Sequence, residues 1–195
     1  MAGDRSARPD DASLRLFVAI SPPQDVGAAL DAAIEPLRAA FPRARWVPPQ
    51  NRHATIKFLG KTSPRLLEET LAAVEAAATS HRAFETSLTA LGAFPLPSRA
   101  RVVWAGIDDS PGRMAELALA VDHALTPMFA PESRAFAPHI TLARPDPPLR
   151  LADPVGALPP VRFAVTELTV FRSTLRRPAP LYEPLATYPL RSADR

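Results

Sequence analysis

Apolar positions along the chain fall into short blocks with two different periods. The block Leu14–Ile20 is apolar throughout most of its length, which predicts a buried strand. From Val26 to Phe41, apolar residues recur every three or four positions, which predicts an amphipathic helix that Pro36 should kink or shorten. Residues 53–59 then alternate polar and apolar side chains, and this period of two predicts a second strand.

The same layout of strand, helix and strand returns in the second half of the chain. A strand is predicted over residues 101–107, a helix follows it, and His139 lies 38 positions after Arg101, as His53 lies 39 positions after Leu14. A repeat near ninety residues is longer than a solenoid repeat. We therefore expect two pseudo-symmetric lobes that face one another across a cleft. Further strands are predicted over residues 84–91, 161–171 and 181–190.

A short polar motif occurs once in each repeat, as His53-Ala54-Thr55 and as His139-Ile140-Thr141. Because side chains alternate between the two faces of a strand, each histidine shares a face with the threonine two residues later. One such tripeptide is weak evidence, since a single histidine on a strand is usually structural. Two copies at matched places in a repeat predict one site that contains both imidazoles.

Composition and charge narrow the class of ligand. The chain has 195 residues, 47% of them hydrophobic, and it contains no cysteine and no apolar run long enough to span a membrane, so we expect a cytoplasmic protein. Net charge is only +3, but 21 of the 23 basic residues are arginine, which favours phosphate ligands more than the coating of a nucleic-acid duplex. Residues 1–12 are predicted to be a disordered tail, and residues 13–191 a single bilobal domain.

Two histidines near neutral pH are suited to acid and base catalysis on a phosphodiester. Unperturbed imidazole has a pKa of about 6.5, so one ring can accept a proton while the other donates one. Thr55 and Thr141 can donate hydrogen bonds to phosphoryl oxygens, and Arg144 can neutralise charge on the phosphate. Clustered carboxylates and paired cysteines are missing from the sequence, so we predict no metal. A glycine-rich phosphate loop is also missing, which argues against a nucleotide kinase or a dinucleotide enzyme, and we predict no cofactor.

Three neighbouring side chains have positions that depend on the regularity of the strands. Arg144 has the opposite parity to His139, so it enters the site only after a bulge or a turn. Lys57 shares the face of His53 in a regular strand, although a solvated lysine at the strand end is the simpler interpretation. Phe17, which the repeat matches with Trp104, has the parity to face the cleft and stack on a base, whereas core packing is the plainer role for both rings.

The doubled His-x-Thr pattern resembles the 2H phosphoesterases, and among them the bacterial and archaeal RNA 2′,3′-cyclic phosphodiesterases. The resemblance extends over residues 14–190. It includes the segments Phe58-Leu59-Gly60 and Leu181-Tyr182, with Pro138 before the second histidine and Arg144 five residues after it. It implies an α+β fold of two pseudo-symmetric lobes, each an antiparallel sheet with helices on its outer face and the active-site cleft between them.

The resemblance also implies an activity and a role for each site residue. A metal-independent enzyme of this kind opens the 2′,3′-cyclic phosphate at an RNA end to a 2′-phosphate, and some relatives reversibly join RNA ends through 2′-5′ linkages. By this analogy His53 protonates the leaving 3′ oxygen and His139 activates water, while Thr55, Thr141 and Arg144 hold the phosphate.

The expected partners are RNA ends or oligonucleotides that carry the cyclic phosphate, with no membrane, and the expected oligomeric state is a monomer. One alternative is a non-catalytic module that binds RNA or nucleotides. Another is the same chemistry on a small cyclic nucleotide, a 2′-5′ oligonucleotide or an ADP-ribose cyclic phosphate.

Overall fold

A computed structural model describes residues 13–192 of the chain. The predicted tail, residues 1–12, lies outside the described residues. The helices are α1 (Gln24–Ala40), α2 (Leu67–Ser80) and α3 (Arg113–Leu125). The strands are β1 (Leu14–Ile20), β2 (Ala54–Thr62), β3 (Phe84–Phe94), β4 (Val102–Ile107), β5 (His139–Ala143), β6 (Gly156–Ala157), β7 (Arg162–Val165), β8 (Glu167–Thr174) and β9 (Leu181–Pro189).

The strands form an antiparallel sheet in the order β6-β3-β4-β5-β2-β1-β8-β9, and β7 pairs with β3. Strand β1 pairs with β2, and β4 pairs with β5, as the repeat requires. The two halves meet where β2 pairs with β5, through Ala54 and Ile140. This arrangement confirms the predicted α+β class and is consistent with two lobes that join at the motif strands.

The core lies between the sheet and the helices. Leu16, Val18 and Ile20 alternate along β1 and are all at most 4% exposed, and they belong to one apolar cluster with residues of α1, α2 and α3. Helix α1 is not shortened at Pro36, since it continues to Ala40. Leu37, the residue after the proline, packs against the core. No helix among residues 13–192 is long and apolar enough to cross a membrane.

Each motif strand contains a bulge at the same place in the repeat. Between β1 and β2, Ala19 pairs with Thr55 but Val18 pairs with Lys57, so Ile56 is an extra residue in β2. A bulge of this kind reverses which face the following side chains occupy.

The second bulge matches the first. Between β4 and β5, Trp104 pairs with Thr141 but Val103 pairs with Ala143, so Leu142 is extra in β5. The pairing also corrects the predicted alignment of the halves: Trp104 corresponds to Ala19, two residues beyond Phe17, because both lie opposite the threonine of their motif.

Candidate active site

The two motifs lie side by side at the centre of the sheet. Ala54 and Ile140, which pair across β2 and β5, are 2% and 1% exposed and point into the core, so the motif side chains point to the opposite face. Antiparallel strands run in opposite directions, so extending this register by one residue brings His53 opposite Thr141 and Thr55 opposite His139. The histidines therefore occupy one diagonal of a four-residue square, and the threonines occupy the other.

Both imidazole rings are oriented by the same backbone contact. Nδ1 of His53 lies 2.8 Å from the carbonyl oxygen of Asn51, and Nδ1 of His139 lies 2.7 Å from that of Ala137. A carbonyl oxygen only accepts hydrogen bonds, so in each ring Nδ1 carries the proton and donates it. In each ring, Nε2 is consequently the nitrogen that can take up a proton.

Side chains beside the first motif anchor the carbonyl that orients His53. The amide of Asn51 donates to the carbonyl oxygen of Pro180 at 2.7 Å, which ties the motif to the turn between β8 and β9. Arg52, only 3% exposed, donates to Asp31 on α1 at 2.6 Å and to the carbonyl oxygen of Gly27 at 3.3 Å. The hydrogen bond from Arg52 lowers the pKa of Asp31. The ring of His53 is thus held from two separate parts of the fold.

Aromatic rings pack against both histidines. The ring centroids of Phe17 and Tyr182 lie 4.7 Å and 5.3 Å from that of His53. On the other side, the centroids of Phe94 and Trp104 lie 5.3 Å and 6.4 Å from that of His139. These rings shield the imidazoles from water and limit their rotation.

Phe17 and Phe58, which pair across β1 and β2, differ in exposure. Phe17 stacks on Phe171 with a centroid separation of 5.1 Å and is 3% exposed, so its ring packs against His53 and has almost no contact with solvent. Its contact with substrate stays a prediction. Phe58 lies opposite Phe17 in the register and is 56% exposed on the same face. The sequence indicated Phe58 only as a flank of the motif, because its face depends on the bulge at Ile56.

Arg144 reaches the site through the bulge at Leu142. Leu142 and Ala143 are both fully buried, and Arg144, the next residue, is exposed and held by its backbone N–H, which donates to the carbonyl oxygen of Arg45 at 2.9 Å. The bulge therefore returns Arg144 to the face of His139. Its position three residues after Thr141 matches that of Phe58 after Thr55.

The charges of the site act on both imidazoles. Burial lowers the pKa of His53 and of His139, against the opposing effect of each backbone hydrogen bond. The positive charge of Arg144 lowers the pKa of both rings further, and His139 adds to the effect on His53. Without a bound anion, both rings are consequently poised towards their neutral forms. An anionic phosphate would act in the opposite direction and favour protonation.

Lys57 lies elsewhere than the sequence indicated. The bulge at Ile56 turns it to the helix side of the sheet, where it is 6% exposed and forms an ion pair with Asp122 of α3. It also donates to the carbonyl oxygen of Ala130 at 3.0 Å, while Asp122 accepts from the backbone of Glu132 at 3.0 Å. Both earlier interpretations of Lys57, in the cleft or solvated, are wrong. It clamps β2 to the segment that leads into the second motif.

A family model described as LigT like Phosphoesterase matches residues 20–104 and 107–182. Two curated relatives named RNA 2′,3′-cyclic phosphodiesterase are similar over most of the chain. The relative from Thermus thermophilus is 34% identical over 191 residues, which is 91% of each chain. The relative from Aeropyrum pernix is 33% identical over 153 residues, 75% of this chain and 86% of its own.

Solved structures show the same fold. A crystal structure of a protein from Thermus thermophilus superposes with a TM-score of 0.75 at 28% identity, and covers 92% of this chain and 100% of its own. The LigT protein of E. coli in complex with 3′-AMP superposes with a TM-score of 0.73 at 28% identity, and covers 91% of this chain and 98% of its own.

Proposed function

The chain belongs to the LigT-like phosphoesterase family, and we propose that it hydrolyses 2′,3′-cyclic phosphate ends of RNA to 2′-phosphates with two histidines and no metal ion. The family match and the names of the curated relatives confirm the prediction of an enzyme of the RNA 2′,3′-cyclic phosphodiesterase type. The observation that supports the two-histidine mechanism is the matched pair of rings. His53 and His139 each use Nδ1 on a backbone carbonyl, which leaves two Nε2 atoms for one phosphate.

The diagonal arrangement suits an in-line displacement at phosphorus. In the proposed reaction, Nε2 of His139 removes a proton from water while the water oxygen attacks the phosphorus. The bond from phosphorus to the 3′ oxygen breaks, and the proton on Nε2 of His53 passes to that oxygen. The product carries a 2′-phosphate and a 3′-hydroxyl. Acid and base on one diagonal of the square act on the two opposite sides of a phosphate at its centre.

Three side chains stabilise the charge that develops on the phosphate. The hydroxyls of Thr55 and Thr141 lie on the other diagonal and donate to the oxygens that do not react. Arg144 supplies a fixed positive charge, and this charge lowers the pKa of both imidazoles. Because the phosphate is anionic, its binding opposes the effect of Arg144 and allows His53 to hold the proton that it must donate.

The test is the product formed from a 5′-labelled oligoribonucleotide that ends in a 2′,3′-cyclic phosphate, with an excess of chelator. We expect complete conversion to the 2′-phosphate at an unchanged rate, and phosphorus NMR separates this product from the 3′-phosphate. A 3′-phosphate product would contradict the choice of leaving oxygen, and loss of turnover in chelator would contradict metal independence. Tight binding of the labelled RNA without turnover would instead favour the non-catalytic module.

A further inference from the structure

Two cations face each other at the outer end of β1 and β2. Arg15 and Lys61 are direct cross-strand partners, and both are exposed. Like charges placed directly opposite one another in a sheet destabilise it. Within residues 13–192, neither side chain makes an ion pair or a side-chain hydrogen bond that would offset the repulsion. Such an uncompensated pair indicates a place for an anionic ligand.

The pair lies on the face that carries the histidines. Arg15 is two residues before Phe17, whose ring contacts His53, so both side chains point to the cleft. Lys61 reaches the same face because β2 has a second bulge at Leu59, beside Gly60 with a φ of 68°, a conformation that glycine adopts readily.

A second observation connects Arg15 to the site. Burial raises the pKa of the Tyr182 hydroxyl, while the charges of Arg144 and Arg15 lower it, so both guanidinium groups lie near this tyrosine. The ring centroid of Tyr182 is 5.3 Å from that of His53. Arg144 and Arg15 therefore both place positive charge within electrostatic reach of Tyr182, which packs against His53.

The spacing separates this pair from the reacting phosphate. Arg15 lies four positions before Ala19, which pairs with Thr55. This corresponds to about 13 Å along an extended strand. The pair is thus placed to meet a different phosphate. A 2′,3′-cyclic phosphate is the 3′ terminus of its chain, so every other phosphate of the substrate lies on its 5′ side.

We propose that Arg15 and Lys61 form a second phosphate subsite, which binds a phosphodiester on the 5′ side of the terminal nucleotide. The protein would then prefer the ends of RNA chains to cyclic mononucleotides, which have no phosphate to place there. This inference rests on the proposed function for the position of the terminal phosphate. It adds to that function a preference for substrates longer than one nucleotide, which the histidine site alone does not provide.

The experiment compares two substrates with the double variant Arg15→Gln/Lys61→Gln. We measure kcat/KM for a five-nucleotide RNA with a cyclic phosphate end and for a cyclic mononucleotide, and we take their ratio. The loss of charge-assisted contacts to phosphate should lower this ratio about tenfold or more. The salt dependence of RNA affinity should also weaken, by about 0.7 in logarithmic slope for each lost contact to a single strand.

The matched control is Arg65→Gln/Arg113→Gln, which removes the same charge from two exposed arginines outside the sheet. Its substrate ratio should equal that of the wild type, and an equal fall in both variants would overturn the subsite in favour of net charge. A lower melting temperature of the Arg15→Gln/Lys61→Gln variant would also overturn it, because removal of the repulsion should not destabilise the sheet.

The two proposals fail in different ways. If the wild type turns over both substrates and the double variant keeps the wild-type ratio, the subsite is overturned and the proposed function stands. If the wild type turns over neither substrate, the proposed function is overturned. The subsite is then decided by fluorescence anisotropy of the labelled RNA: weaker binding with a smaller salt slope in the double variant supports it, and unchanged binding overturns it.

Discussion

The two motif strands, β2 and β5, are alike around their histidines and different three residues beyond their threonines. Each begins at or directly after a histidine, carries a threonine on the face of that histidine and has a bulge after the threonine, and in each case a backbone carbonyl orients the histidine ring through Nδ1. Three residues after the threonine, however, stands Phe58 within β2, whereas Arg144 stands directly after the end of β5. The repeat places a matched pair of imidazoles in the sheet, and the difference at this one position makes the cleft asymmetric.

This asymmetry fits a substrate whose two ends are chemically different. A cyclic phosphate carries negative charge on one group and offers an apolar base and ribose beside it. Arg144 provides a charge on one side of the joint between the lobes, and Phe58 provides an exposed ring on the other. The surroundings of the histidines differ as well, since among residues 13–192 three aromatic rings lie near His53 and two near His139.

The largest effect is expected from removing either imidazole. His53→Ala and His139→Ala should each lower kcat by about 10²–10⁴, the range for a lost general acid or base. The double variant should lose little more than the worse single variant, because the two rings act in one step. Steady-state kinetics on a cyclic-phosphate RNA, with thermal melting to establish folding, checks this. Full activity in either single variant would contradict the prediction that the two motif strands each supply one necessary histidine.

A smaller and unequal effect is expected at the position where the strands differ. Arg144→Gln should lower kcat by about 10²–10³, as for other lost groups that stabilise charge in a transition state. The alkaline side of its pH profile should move to higher pH, because the charge of Arg144 lowers the pKa of both imidazoles.

Phe58→Leu is the matched change on β2. It keeps the apolar volume and removes the ring, so it should raise KM, by a factor that corresponds to about 1–3 kcal/mol of stacking on a base. Equal changes in kcat for the two variants would contradict the division of labour between the strands.

The sequence predicted those parts of the site that depend on periodicity. Alternation and the repeat placed His53 with Thr55 and His139 with Thr141, and the paired strands of the confirmed fold carry both motifs. The bulges could not be predicted, because one extra residue in a strand leaves no local pattern of its own. This is why the sequence predicted the wrong surroundings for Lys57. It is also why Arg144 was predicted to enter the site only if a bulge or a turn came before it.

Contacts between segments that are distant in the chain could not be predicted from the sequence either. The amide of Asn51 and the carbonyl of Pro180 are separated by 129 positions, and nothing in either segment indicates the other. The same holds for the ion pair of Lys57 with Asp122, in which a charged residue on a strand is buried against a helix.

The most direct test of the account is the pH dependence of kcat/KM for the wild type and the two alanine variants. Since a base must be deprotonated and an acid protonated, the wild type should give a bell whose maximum lies towards acidic pH, because burial lowers the pKa of both imidazoles. His139→Ala should lose the acidic limb, and His53→Ala the alkaline limb. Persistence of both limbs in both variants would contradict the claim that these two histidines are the acid and the base.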